Sequence, residues 1–163
     1  MRRRDFGLFI SSAAGVAAAK TREFLFARGN LLAWCIVPFD AKKRGPEERA
    51  ALLRKLGITK FVYDWRDKDI PDFDRELDAL QKHGIRLQGF WTPYPMDPAR
   101  PGHVGTILDL LQRRKQQTEL WTMLSPAKDF AALPQDKKLD TASVAISGLA
   151  RKAEAIGCKV GLY

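Results

Sequence analysis

Cysteine and histidine are scarce in this chain, with two of each in 163 residues. Cys35 and Cys158 stand in no CxxC or Cys/His ligand spacing, which excludes a disulfide scaffold and leaves no zinc-finger pattern. No Ser/His/Asp or Cys/His constellation is indicated by local sequence. His83 sits just before Gly84, where a helix is expected to end and its dipole explains a histidine without chemistry, and His103 opens a later helix. No apolar run approaches the roughly 20 residues of a transmembrane helix, so no stable membrane span is expected. No GxGxxG or Walker-type loop follows the first apolar run, which removes the usual signal of a nucleotide-binding open sheet.

Acidic residues are also in deficit: 28 Lys and Arg against 19 Asp and Glu give a net charge of +9. Such a balance suits anionic partners, sugar phosphates among them. Most of the basic residues, however, alternate with acids on expected outer helix faces, as in Glu47, Glu48, Arg49, Arg54 and Lys55. No basic block with interleaved aromatics occurs, so a nucleic-acid partner is not expected.

What the chain does contain begins with MRRRDFGLFISSAAGVAAAK. A basic start, an apolar and small-residue stretch over 6–16 and Ala17-Ala18-Ala19 match an export signal, and Arg3-Arg4-Asp5-Phe6 fits its twin-arginine form. Residues 1–19 are therefore expected to be a twin-arginine signal peptide and 20–29 a linker, with a periplasmic or otherwise exported location. The alternative is an amphipathic first helix.

From about residue 30 the pattern becomes regular. Apolar, β-prone runs at 31–37 (LLAWCIV), 60–65 (KFVYDW), 86–91 (RLQGFW), 119–124 (ELWTML) and 158–163 (CKVGLY) alternate with four segments of helical period. Pro46 opens the first helix. The second starts near Pro71 or Asp72, the third carries Val104, Ile107, Leu108 and Leu111 on one face, and the fourth covers about 140–156. Gly57, Gly84 and Gly157 each stand where a left-handed residue turns a helix into a strand, whereas RRKQQTEL after the third helix has no glycine.

Crossovers of this length impose parallel strands. A doubly wound open sheet and part of a (β/α)8 barrel both fit. Long loops rich in Pro, Asp and aromatics after the strands, against tight turns before them, favour the barrel. The expectation is an α/β fold, a partial (β/α)8 TIM barrel of about five parallel strands and four helices over 30–163. A sequence ending on a strand is then expected to be the N-terminal part of a larger, truncated fold.

The segments AWCIVPFDAKKRGPEERAALLRKLGITKFVYDWR, FDRELDALQKHGI and GCKVGLY resemble the xylose isomerase-like TIM-barrel family, in its sugar phosphate isomerase and epimerase branch. The resemblance runs from about Asn30 to Tyr163. It implies metal-assisted proton transfer on a sugar in the full-length form, with a divalent metal held by Glu, Asp and His on later strands. No position here matches those ligands, so no metal and no cofactor are expected for this chain, which is expected to be inactive alone. A noncatalytic carbohydrate-binding or interaction domain is the alternative.

Residues at strand C-termini are the candidates, since a barrel builds its site there. Asp40, beside Lys42, Lys43 and Arg44, could meet a sugar phosphate or be part of a solvated charge run. Asp64, Trp65 and Arg66 offer an aromatic face with an acid and a guanidinium, or a packed tryptophan with a loop-fixing ion pair. Trp91 and Tyr94, stiffened by Pro93 and Pro95, could wall a sugar pocket or pack internally. No catalytic residue is assigned. An incomplete barrel also exposes strand edges, so self-association is expected. Cys35 and Cys158, on strands facing each other across a barrel, are expected to be free thiols.

Overall fold

The computed structural model describes residues 25, 27–97, 100 and 102–163. The signal expected over 1–19 and most of the linker at 20–29 lie outside the described residues.

Four runs become strands where the sequence places them. They are β1 (Lys60–Tyr63), β2 (Arg86–Trp91), β4 (Glu119–Thr122) and β6 (Lys159–Leu162). All pair in parallel in the order β1-β2-β4-β6, with Phe61 opposite Leu87, Phe90 opposite Leu120, and Leu120 opposite Val160. A two-residue pair, β3 (Tyr94–Pro95) with β5 (Leu124–Ser125), continues the β2 and β4 ladder further along the chain. The fold is thus mixed α/β on a parallel sheet. Neighbouring strands follow in chain order, without the reversal that marks a doubly wound sheet.

The described residues form five α-helices rather than four: α1 (Ile36–Phe39), α2 (Pro46–Lys55), α3 (Phe73–Lys82), α4 (Val104–Arg113) and α5 (Gln135–Glu154). Phe61, Tyr63, Phe90 and Leu120 from the sheet join Leu53, Leu77, Leu80, Ile107, Leu111 and Leu149 from the helices in one buried core. Between α2 and α3 the Arg49 guanidinium donates from Nε to Glu76 Oε1 at 3.2 Å and from Nη2 to Glu76 Oε2, with both residues buried.

The first run departs from expectation. Of 31–37, only Ala33 joins the sheet, bridging to Phe61 in parallel, with its N–H donating to the Lys60 carbonyl at 2.9 Å. Cys35 then adopts φ 60 in the left-handed region and Ile36–Phe39 winds into α1. A left-handed residue breaks an extended run outright, and Pro38, with no N–H and a φ suited to a first helical turn, favours the helix. The expected fifth strand is therefore a single bridge beside a four-stranded sheet.

The sheet is strongly curled. With strands ~4.8 Å apart, flat positions from Ala33 to β6 would span about 19 Å. Yet the Trp34 ring, next to Ala33, lies 5.3 Å from the ring of Tyr163, next to β6, and 5.7 Å from that of Trp121 on β4. Small residues make room on this concave face. A Cβ on Gly89 would stand 3.0 Å from the Trp121 indole, and one on Gly161 3.6 Å from it.

Three helix ends carry the expected left-handed glycines, with φ 71 at Gly57, 63 at Gly84 and 73 at Gly157. The fourth, α4, uses Lys115 at φ 50 instead. A side chain there costs about 1 kcal/mol that glycine would not. Lys115→Gly is expected to raise the stability by up to about 1 kcal/mol, read as a higher urea midpoint. Gly157→Ala is expected to lower it, because the new Cβ would meet the Gln117 amide at 2.6 Å in a left-handed backbone. An unchanged or lower midpoint for Lys115→Gly would contradict this account of the turn.

Candidate functional site

Parallel strands place all their C-terminal ends along one edge of the sheet, and a cleft of ≈ 400 Å³ opens there. Trp34 and Cys35 reach it from beyond Ala33, Asp64 to Asp67 from the end of β1, Trp91 and Pro93 from β2, Met123 from β4 and Tyr163 from β6. Phe39 of α1 completes the rim.

The loop after β1 supplies the polar groups. Asp64 is buried, at 5% exposure, and its Oδ1 accepts from Arg66 Nη1 at 2.6 Å. The same Nη1 donates to the Trp65 carbonyl at 2.7 Å. The Arg66 backbone N–H donates to Asp69 Oδ2 at 2.8 Å, starting the 3-10 turn Asp67–Asp72 that leads into α3. Trp65 fastens this loop to its neighbour, since its indole Nε1 donates to the Trp91 carbonyl at 2.7 Å. Its ring packs edge-on against Phe73 at 5.2 Å and His103 at 5.5 Å.

The walls are aromatic. Tyr163 stands edge-to-face with Trp91 at 4.9 Å and 87°, and with Trp34 at 5.3 Å and 71°. These rings are accessible, Trp34 at 38% and Tyr163 at 63%. The hydrogen bond from the Tyr163 N–H to the Thr122 carbonyl, 2.9 Å, holds that wall in the sheet ladder.

Cys35 faces the buried carboxylate. Burial first, then the hydrogen bond to Asp64 and its negative charge, push the Cys35 thiol above its ordinary pKa, against a smaller pull from Arg66. Cys158 is buried where Cys35 is half-buried, and burial pushes its thiol up too. Both cysteines are free thiols.

The six residues singled out from sequence part into three places. Asp64, Trp65, Arg66 and Trp91 come together in the cleft. Asp40 instead closes its own loop, accepting from the Lys42 and Arg44 N–H groups at 3.1 and 3.0 Å and from Arg44 Nη1 at 2.7 Å. The Arg44 backbone contact is the main cause of its lowered carboxyl pKa. Tyr94 lines a separate, wider groove against Asp140, Val144 and Arg151 of α5. Sequence reasoning missed Trp34, Cys35, Asp67 and Tyr163 as cleft residues. Tyr163 carried a signal as an aromatic at the end of an apolar run, whereas Trp34 sits in the middle of its run.

Of the histidines, His83 Nε2 contacts Glu47 Oε1 at 2.9 Å beside Lys82 at the other end of the helix layer. His103 Nε2 lies 3.5 Å from Asp67 Oδ1 at the edge of the cleft. Among the described residues no three His, Cys, Asp or Glu side chains are grouped to hold a metal ion. Nor is any described helix long and apolar enough to cross a membrane. Compared with known proteins, the chain matches no family model and no curated protein.

A thiol held protonated by a carboxylate reacts slowly. Alkylation of Cys35 by iodoacetamide at pH 8 is expected to be slower than that of a free cysteine and to accelerate as pH rises. Asp64→Asn, which removes the acceptor and the charge, is expected to speed it several-fold, with Cys158 remaining protected. Peptide mass mapping of alkylated cysteine over time reads both sites, and an unchanged Cys35 rate in the variant would remove Asp64 from the account.

Proposed function

We propose that the aromatic cleft binds a sugar and that the chain forms the N-terminal part of a barrel of the sugar isomerase and epimerase kind. The observation that carries this reading is the convergence of Trp34, Trp91 and Tyr163 around one buried carboxylate paired to a guanidinium, at strand C-termini and, for Trp34, just beyond the Ala33 bridge. Sugar rings present C–H faces that stack on aromatic rings, while their hydroxyls seek charged acceptors and donors such as Asp64 and Arg66. Strand order in chain sequence and a curled sheet support the barrel, because (β/α)8 barrels add each strand beside the last. Proton transfer on the bound sugar belongs to the isomerase reading. Binding alone belongs to the alternative of a carbohydrate-binding domain, and both use this cleft.

Tryptophan fluorescence titrated with monosaccharides tests the cleft. Saturable quenching is expected, and Trp91→Ala or Trp34→Ala should weaken binding by about 1–2 kcal/mol, roughly tenfold in Kd. Affinity unchanged in both variants would place the sugar elsewhere.

Self-association is a second reading, favoured by large apolar side chains at both margins of the sheet: Leu31 at 51% and Leu32 at 37% exposure beside Ala33, and Leu162 at 68% at the end of β6. Sedimentation is expected to show concentration-dependent oligomers that Leu162→Lys shifts toward monomer. A monomer at all concentrations would exclude it.

A further inference from the structure

The net charge of the chain and the charge of its cleft point to different ligands. At +9 overall, the protein as a whole favours anions such as sugar phosphates. Within the cleft lining, however, the charged side chains are two acids and one base: Asp64, Asp67 and Arg66. The base is already engaged, its Nη1 shared between Asp64 Oδ1 at 2.6 Å and the Trp65 carbonyl at 2.7 Å. Lys42, Lys43 and Arg44 do not line the cleft, and Arg44 is held by Asp40.

The aromatic walls add the same sign. The faces of Trp34, Trp91 and Tyr163 carry the negative side of the ring quadrupole, which attracts a cation and repels an anion. The rings stand at 71° and 87° to one another, so a ligand seated in the corner they form meets at least one face. An ammonium group there has ring faces, the Asp67 carboxylate at the rim and the Asp64 carboxylate that Arg66 already pairs, whereas a phosphate has one guanidinium, paired in the same bond, against two carboxylates.

We propose that this cleft selects sugars by charge, taking an amino sugar in preference to a neutral sugar and turning away the phosphate ester. The inference rests on the sugar-binding reading above and specifies its ligand class. Asp64, buried under the walls, and Asp67, with its side chain 86% exposed at the rim, set the sign. His103 Nε2 lies 3.5 Å from Asp67 Oδ1 at that rim.

Matched sets of amino sugar, neutral sugar and 6-phosphate in the gluco, galacto and manno series, titrated at low salt into the full chain, test this by tryptophan fluorescence. The expected order within a set that binds is glucosamine-type tightest and phosphate weakest, with the two ends separated by about tenfold or more and the gap shrinking at high salt. Asp67→Asn, an exposed change that leaves the core untouched, is expected to weaken the amino sugar by several-fold and the neutral sugar little. A phosphate ester that binds as tightly as the neutral sugar, or an amino sugar that binds no tighter, overturns the charge inference while leaving the sugar reading intact. No binding by any member of any set overturns both.

Discussion

The seating of Trp121 between two glycines is the contact on which the shape of the protein depends. Gly89 on β2 and Gly161 on β6 flank β4, and a Cβ on Gly89 would crowd the indole at 3.0 Å, whereas one on Gly161 would only touch it at 3.6 Å. Filling a concave face with one large side chain between two small ones lets the neighbouring strands roll toward each other, the same alternation that fills the inside of small barrels. The roll brings Trp34 from one margin against Tyr163 from the other. Without it the aromatic walls of the cleft would face solvent on opposite sides of a flat sheet.

On the convex side the corresponding element is ionic. Arg49 and Glu76 are both buried and bind each other through two hydrogen bonds, and Arg49 Nη1 adds a third to the Arg44 carbonyl at 2.6 Å. Such a pair gains little over a well-packed apolar pair, but losing one partner strands a buried charge at a cost of about 3–5 kcal/mol. Its role is geometric: it fixes α2 against α3 and ties both to the loop that Asp40 closes. Burial, aided by the Glu76 charge, also pushes the Tyr63 phenol far above its ordinary pKa, so it remains a neutral core ring. The loop around Asp40 is thus a structural joint, which is why an acid that looks ready for a ligand is consumed by its own backbone.

The two faces differ in how they are finished. Helices α2, α3 and α4 each bury a continuous stripe, while α5 buries only Leu149 and Ala153 along Gln135–Glu154 and leaves Leu139 and Val144 exposed. The cleft edge is therefore supported firmly beneath Asp64, where Trp65 reaches across to β2, and more lightly toward the Tyr94 groove. The polar groups of the cleft, Asp64 and Arg66, sit on the firm side. That division gives the cleft fixed walls and one fixed charge pair.

Local rules alone determined most of the elements. Pro46 at a helix start, the left-handed glycines at 57, 84 and 157, and the apolar runs of β1, β2, β4 and β6 act within a few residues of themselves, so the sequence carries them openly. Parallel pairing followed from connection length, and with it the prospect of a site at strand ends, where Asp64, Trp65, Arg66 and Trp91 do meet. Tertiary structure decided the rest. The run at 31–37 has strand composition, yet Cys35 turns left-handed at the point where its thiol meets Asp64, a contact between residues far apart in sequence. Asp40 and Tyr94 occupy the expected loops, but hydrogen bonds within one loop and continued strand pairing in the other carry them away from the cleft. Trp34 and Tyr163 became neighbours only because the sheet curls, and curl is a property of packing between strands that no single segment encodes.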